Sequence, residues 1–327
     1  MDSTDDAGLE RDGREFLTYL GARGYSPGTI CRDGRDLRRF ISYCLAFDVE
    51  SSATITPALL GRYRKQASVR NRLRPGKVLN VATVYNRMNT VQRFVKFLVD
   101  RNRIIVSPFD PGLMPKIPRR IPRNIPTEED MVRLLEAPDT RGRHGLRDRA
   151  MLELMYSTGI RRGEVVGLDV YDVDLAAKTL TVRRAKGGKF RVVPMGRTAC
   201  HYVARYLSEV RPKWARRRRS SALFLGEKYG DGEGRCFPTA VDHIVRVHAR
   251  RALPGRRITP HMIRHAFATH MLRGGADLAM VQKLLGHSNI ATTQVYTRVT
   301  PEALKEAYEK YHPYGKWNNK ISRMGAR

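Results

Sequence analysis

Apolar residues recur three and four positions apart through most of the chain, and the places where that spacing fails mark its organisation. Leu9, Phe16, Leu17 and Leu20 predict a first helix. Ser26-Pro27 opens a second, with Leu37, Phe40, Ile41 and Cys44 on one side and Arg32, Arg35, Arg38 and Arg39 largely on the other. Thr56-Pro57 opens a third, ending near Ser68. After the basic loop RNRLRPGKVLN, Val84, Met88, Val91, Val95 and Leu98 predict a long helix from Asn80 to Arg103. Residues 9–103 therefore read as an all-helical bundle with basic loops, preceded by a disordered tail over 1–8. The spacing then fails. Residues 104–126 hold six prolines in 23 residues, which sustain neither a helix nor a central strand and predict an extended, stiff linker.

Helical spacing resumes at Thr127, which caps TEEDMVRLLEA, and continues from His144 to Ser157, with a stop at Gly159. The period changes in KTLTVRRAKGGKFRVVPMG. Thr179–Arg183 and Phe190–Pro194 predict a β-hairpin around the turn Lys186-Gly187-Gly188-Lys189. Further helices are expected over Thr198–Val210, Pro238–Ala252, Asp277–Leu285 and Pro301–Tyr311, and a short strand over Ala222–Leu225. Another runs from the cap Thr259-Pro260 to Gly274-Gly275. The expected fold is mainly α with a small β-hairpin or sheet. An N-terminal helical bundle is followed by a mixed α/β domain over 127–311 and a polar tail over 312–327.

Charge changes the picture. The chain of 327 residues carries 61 Lys and Arg against 32 Asp and Glu, a formal charge of +29. Residues 1–126 hold 23 basic and 12 acidic residues, and the remainder holds 38 and 20, so both halves are basic. Two basic domains on one linker suit a clamp around a polyanion such as DNA. The basic linker residues Lys116, Arg119, Arg120 and Arg123 and the run Arg216–Arg219 fit the same partner. No long apolar run or lipidation signal points to a membrane, and MDSTDDAGLE has no signal-peptide character. Cys31, Cys44, Cys200 and Cys236 are scattered, which fits free thiols in a reducing cytoplasm.

The stretch from Thr259 to Thr297 concentrates the candidate chemistry. His261 and Arg264 share one face near a helix N-terminus, where an anion is welcome. His287 follows the stop at Gly286, and Tyr296 lies on a further turn. An arginine for phosphate oxygens, imidazoles for proton handling and a tyrosine hydroxyl as nucleophile suit phosphoryl transfer. His261 and His265 also have the i, i+4 spacing of a zinc helix. No Glu follows His261, however, and Arg264 between them repels a cation.

Together with TGIRRGE around Arg161 and AKGGKFRVVP around Lys186, the motifs HMIRH, LLGH and TTQVYT resemble the tyrosine recombinase (phage integrase) family, most closely its Xer-like branch. From His261, Arg264 lies three residues on, His287 lies 26 on and Tyr296 lies 35 on, in the order and spacing of that family. The resemblance implies a site-specific DNA recombinase that cleaves and rejoins strands through a 3′-phosphotyrosine at Tyr296. It implies that Arg161 and Arg264 grip the scissile phosphate and that His261 accepts a proton or donates to phosphate. Lys186 would protonate the leaving 5′-oxygen, His287 would donate to a phosphate oxygen, and Glu164 would orient its neighbours. Bond energy is conserved in such a reaction, so neither metal nor nucleotide cofactor is expected. The implied assembly is a tetramer on two double-stranded DNA sites, as a homotetramer or with a second recombinase, with Leu304–Tyr311 docking on a neighbouring protomer. Chromosome dimer resolution and mobile-element integration or excision both fit. A type IB topoisomerase-like or telomere-resolving enzyme shares the chemistry, and a non-cleaving DNA-binding regulator is the alternative from another class.

Overall fold

The computed structural model describes residues 8–69, 79–117, 124–183, 190–216, 220–226, 232, 234–286 and 301–313. The chain forms two compact units, Met1–Ile121 and Pro122–Arg327. Among the described residues, the first holds four α-helices: α1 (Gly8–Ala22), α2 (Pro27–Leu45), α3 (Pro57–Val69) and α4 (Val81–Asp100). The Ser26 side chain accepts from the Thr29 amide, and Asn80 caps α4 by accepting from Ala82. Phe16, Leu37, Phe40, Leu60, Met88, Val91 and Phe94 fill the core between them. The core also holds charge. The fully buried Asp33 carboxylate accepts from Arg93 at 2.6 Å and from the Thr90 hydroxyl at 3.1 Å. The start of the proline-rich segment is not a free connector, because Ile104 and Phe109 are buried in this same core. Its prolines exclude helix, but the apolar residues among them still gain by leaving water.

The second unit contains α5 (Glu128–Glu136), α6 (Arg143–Thr158), α7 (Arg162–Gly167), α8 (Arg197–Arg205), α9 (Arg211–Ala215), α10 (Pro238–Ala252), α11 (Pro260–Arg273), α12 (Leu278–Leu285) and α13 (Pro301–Tyr311). A three-stranded antiparallel sheet, ordered β1 (Val173–Asp174), β2 (Thr179–Val182) and β3 (Arg191–Pro194), adds one strand to the expected hairpin. Leu180 pairs with Val193 and Val182 with Arg191, and these partners share a face because side chains alternate along a strand. That face meets a core centred on α6, which is buried nearly all round.

Two secondary-structure expectations are corrected. The helix over 198–210 is interrupted by a π turn at Tyr206–Val210, in which Arg211 N–H reaches Tyr206 C=O. Pro212 explains this. It has no N–H to offer the turn behind it, and its ring crowds the carbonyl four residues back. Ala222–Leu225 makes only isolated bridges, to Asp169 and Arg235, and not a strand. The Arg211 guanidinium takes the carbonyls of Ser220 and Ala222, which a ladder would need. Helix α13 packs on β3 and α11 of its own chain. Leu304, Ala307 and Tyr308 are buried there, and the Tyr308 hydroxyl lies 2.8 Å from Ser157 Oγ. The face expected to dock on a neighbouring protomer is thus occupied within one chain. No helix among the described residues is long and apolar enough to cross a membrane.

Candidate active site

Arg161 owes its position to the end of α6. The helix stops at Gly159 in the left-handed conformation, φ +61°, so the chain turns sharply and Ile160 drops into the core. Arg161 follows as the extended N-cap of α7. Glu164, at the third helical position, reaches back to accept from the Arg161 amide at 2.8 Å and from its guanidinium Nη1 at 2.9 Å. This satisfies an orphan N–H of the helix start and fixes the arginine from both ends.

Arg264 comes from α11, which begins as its cap residues predict. The Thr259 hydroxyl accepts from the Met262 amide at 3.3 Å and Pro260 occupies the first helical position. One turn in, Arg264 is 6% exposed. Its Nη1 donates to Gly159 C=O and its Nη2 to Leu285 C=O, both at 2.7 Å. Arg161 Nη2 donates to the next carbonyl, Gly286, at 3.2 Å. Helix α12 begins at its cap Asp277 and ends at Gly286, φ +65°. The two catalytic candidates that the sequence separates by about a hundred residues thus meet on adjacent carbonyls of one helix end.

The electrostatics of the cluster follow from this crowding. Burial, and then the neighbouring Arg161, lower the Arg264 pKa to about 10. His261 is exposed on the same helix, with its ring 4.3 Å from that of His265. Desolvation, then His265, Arg264 and Arg161, press its pKa below the ordinary imidazole value, so it is neutral at pH 7. Burial pushes Glu164 upward, but hydrogen bonds from Arg191 and from the Arg161 amide outweigh it and keep the carboxylate ionised. Cationic groups that repel one another beside a neutral imidazole form a site that an anion would relieve.

The structure therefore brings together Arg161, Glu164, His261 and Arg264. Lys186, His287 and Tyr296 lie outside the described residues. Sequence reasoning missed Arg191. From β3 its Nη1 and Nη2 donate to the two Glu164 oxygens at 3.0 and 2.8 Å, and its Nε to Leu284 C=O at 2.9 Å. The signal was the hairpin register: Arg191 pairs with Val182, whose side chain faces the core.

Residues 125–303 match the Phage integrase family. The tyrosine recombinase XerC 2 of Ralstonia nicotianae is 38% identical over 290 residues, covering 89% of this chain and 82% of its own length. The tyrosine recombinase XerD of the same organism is 39% identical over 237 residues, covering 72% and 75% respectively. The tyrosine recombinase XerC of Pelobacter propionicus is 35% identical over 304 residues, covering 92% and 94%. Among solved structures, the XerH site-specific recombinase bound to its difH substrate in a pre-cleavage complex shares the fold. Its TM-score is 0.62 at 18% identity, with 91% of this chain and 96% of that one covered. The chain belongs to the phage integrase family and is a Xer-like tyrosine recombinase, an enzyme of site-specific DNA recombination.

Proposed function

We propose that Arg161, Arg264 and His261 form the scissile-phosphate site and that Tyr296 is the nucleophile. The observation that carries this reading is the convergence of two guanidinium groups on adjacent carbonyls, one of them buried, with no described carboxylate between them except Glu164, which Arg191 shares. A phosphodiester supplies the negative charge that this pair lacks. Its two non-bridging oxygens accept from Arg161 and Arg264, and the same donors stabilise the extra charge of the transition state. His261, neutral before DNA arrives, has a free lone pair to take the tyrosine proton or an N–H to give to phosphate. Tyrosine has a pKa of ~10 and needs that help to attack.

Attack by Tyr296 on phosphorus forms a 3′-phosphotyrosine and releases a 5′-hydroxyl, with Lys186 giving the leaving oxygen its proton. His287 donates to a phosphate oxygen. Attack by the 5′-hydroxyl of another strand reverses the step and reseals the backbone, so no metal or nucleotide energy is consumed. The partners are double-stranded recombination sites, held by four protomers, with the N-terminal bundle of this basic chain closing on the DNA. The XerC and XerD relatives of Ralstonia nicotianae support a second recombinase in that tetramer. The reaction takes place in the cytoplasm, where chromosomal or mobile-element DNA is the substrate.

The test is covalent capture. Wild type and Tyr296→Phe are incubated with nicked site DNA, denatured, and run on a gel for protein-linked DNA. Wild type forms an adduct that mass spectrometry maps to Tyr296, and Tyr296→Phe forms none while still binding DNA. An adduct on another residue, or one that persists in Tyr296→Phe, overturns the assignment.

A further inference from the structure

Three consecutive carbonyls at the end of α12 each accept from a different arginine. Leu284 accepts from Arg191, Leu285 from Arg264 and Gly286 from Arg161. A helix end leaves such carbonyls without partners inside the helix and carries partial negative charge, so cations gather there. Two of these arginines are the proposed phosphate clamp. The third is spent entirely on protein. The Arg191 side chain is 11% exposed, and its planar fork meets the Glu164 carboxylate on both oxygens. Glu164 is itself 4% exposed, and each of its oxygens also accepts from Arg161. Gly286 leaves room for this arrangement. A Cβ there would lie 2.9 Å from Arg191 Nη1 and 3.2 Å from its Cζ.

We propose that Arg191 is a positioning residue for strand cleavage, which braces Glu164 and the end of α12 so that Arg161 and Arg264 are held aimed at phosphate. This rests on the reading of Arg161 and Arg264 as the phosphate clamp. Arg191 ties together three pieces of chain. Glu164 sets Arg161. The α12 end sets Arg264 and leads directly into His287. Its own strand, β3, follows Lys186 by five residues. Removing Arg191 leaves the buried Glu164 with Arg161 as its nearest cation. Glu164, still desolvated but with one guanidinium fewer, then takes up a proton more readily, and Arg161 loses the carboxylate that holds its aim. Among the described residues, the charged groups facing Glu164 are Arg161 at the start of its own helix, Arg191 from β3 and Arg264 from α11. From α10, Asp242 is engaged by Arg162 instead.

The experiment measures single-turnover covalent capture of nicked site DNA from pH 5.5 to 8.5, with site binding measured alongside. The proteins are full-length wild type, Arg191→Ala, Arg191→Lys, Glu164→Gln and Glu164→Gln with Arg191→Ala. Arg191→Ala is expected to bind the site with nearly wild-type affinity and to form adduct about a hundredfold more slowly, the cost of a misplacement near 1 Å. Its deficit relative to wild type should widen about tenfold as pH falls from 7.5 to 5.5, because a desolvated Glu164 with one guanidinium fewer takes up a proton there. In the Glu164→Gln background, adding Arg191→Ala should give a deficit that does not change with pH. Arg191→Lys keeps the charge without the fork, so it should recover the wild-type pH profile and only part of the rate. If Arg191→Ala matches wild type per folded molecule, or its deficit is the same at every pH, the positioning role is wrong. Should Arg191→Ala be poorly folded, the lysine variant decides: a full wild-type rate there overturns the role of the fork. A wild-type adduct absent or mapped away from Tyr296 would instead defeat the underlying clamp reading.

Discussion

Replacing Gly159 by alanine separates the packing of the α6 end from its task of aiming Arg264. Gly159 has φ +61°, and an L-residue with a Cβ pays about 1–2 kcal/mol to adopt it. The new Cβ would also stand 2.5 Å from Phe267 Cδ1 and 2.9 Å from Leu285 Cδ2. Both neighbours are buried in the core, so they move only by pushing helices, and overpacking of this kind costs about 1–3 kcal/mol. The sum, about 2–5 kcal/mol, is a large part of the ~5–15 kcal/mol that holds a domain together. The direction of relief matters more than its size. Phe267 lies on α11 one turn beyond Arg264, and the Leu285 carbonyl is the second acceptor of Arg264. Relieving the clash therefore parts both helices from Gly159 and stretches the 2.7 Å bond between Arg264 and its carbonyl. Urea denaturation followed by tryptophan fluorescence gives the stability. Covalent capture at a temperature where the variant is fully folded gives the rate. The expected result is a lowered midpoint together with adduct formation at least about tenfold slower per folded molecule, as a sub-ångström misalignment produces. Wild-type capture by a destabilised variant would refute the aiming role, and a wild-type midpoint would refute the steric argument as well.

Two further predictions concern a buried histidine of the same core and the leaving group. His312 is fully buried, stacked at 4.5 Å on the Tyr308 ring, and burial drives its pKa down to about 3. Because the folded value lies below the unfolded ~6.5, the unfolded chain alone binds a proton in that window. Its contribution is fully present above pH ~6.5 and is lost as pH falls toward 3. His312→Phe keeps the stacking and removes the titration, so its urea stability relative to wild type should improve by about 2–3 kcal/mol between pH 7 and 4.5. A difference independent of pH would contradict the neutral, buried imidazole. Lys186→Ala should slow cleavage with little change in site binding, and a substrate with a 5′-bridging sulfur, which leaves without a proton, should restore Lys186→Ala but not Arg264→Ala. Equal rescue of both would remove Lys186 from the role of general acid.

What the sequence makes legible here is chemistry completed within one helical turn. The caps Ser26, Asn80, Thr127, Thr259 and Asp277 each meet an amide two or three residues on, and the stops at Gly159 and Gly286 take the positive φ they imply. The placement of Arg161, Glu164, His261 and Arg264 together is legible for a related reason, because each sits in a short motif next to such a cap or stop. Other features depend on partners at no fixed separation. The β-rich run Ala222–Leu225 fails as a strand because Arg211 takes the Ala222 carbonyl at its start. The amphipathic face of α13 is plain in the sequence, but its cover by Ser157 and α11 is not. Arg191 is the sharpest case. In sequence it is one basic residue among several on a hairpin, yet its partners lie 27 residues away at Glu164 and 93 away at Leu284. A motif reveals groups arranged to meet a substrate, since the substrate imposes their types and order. A group that holds those side chains in place answers only to the geometry of this fold, so it becomes visible when the leftover carbonyls of α12 are traced to the arginines that fill them.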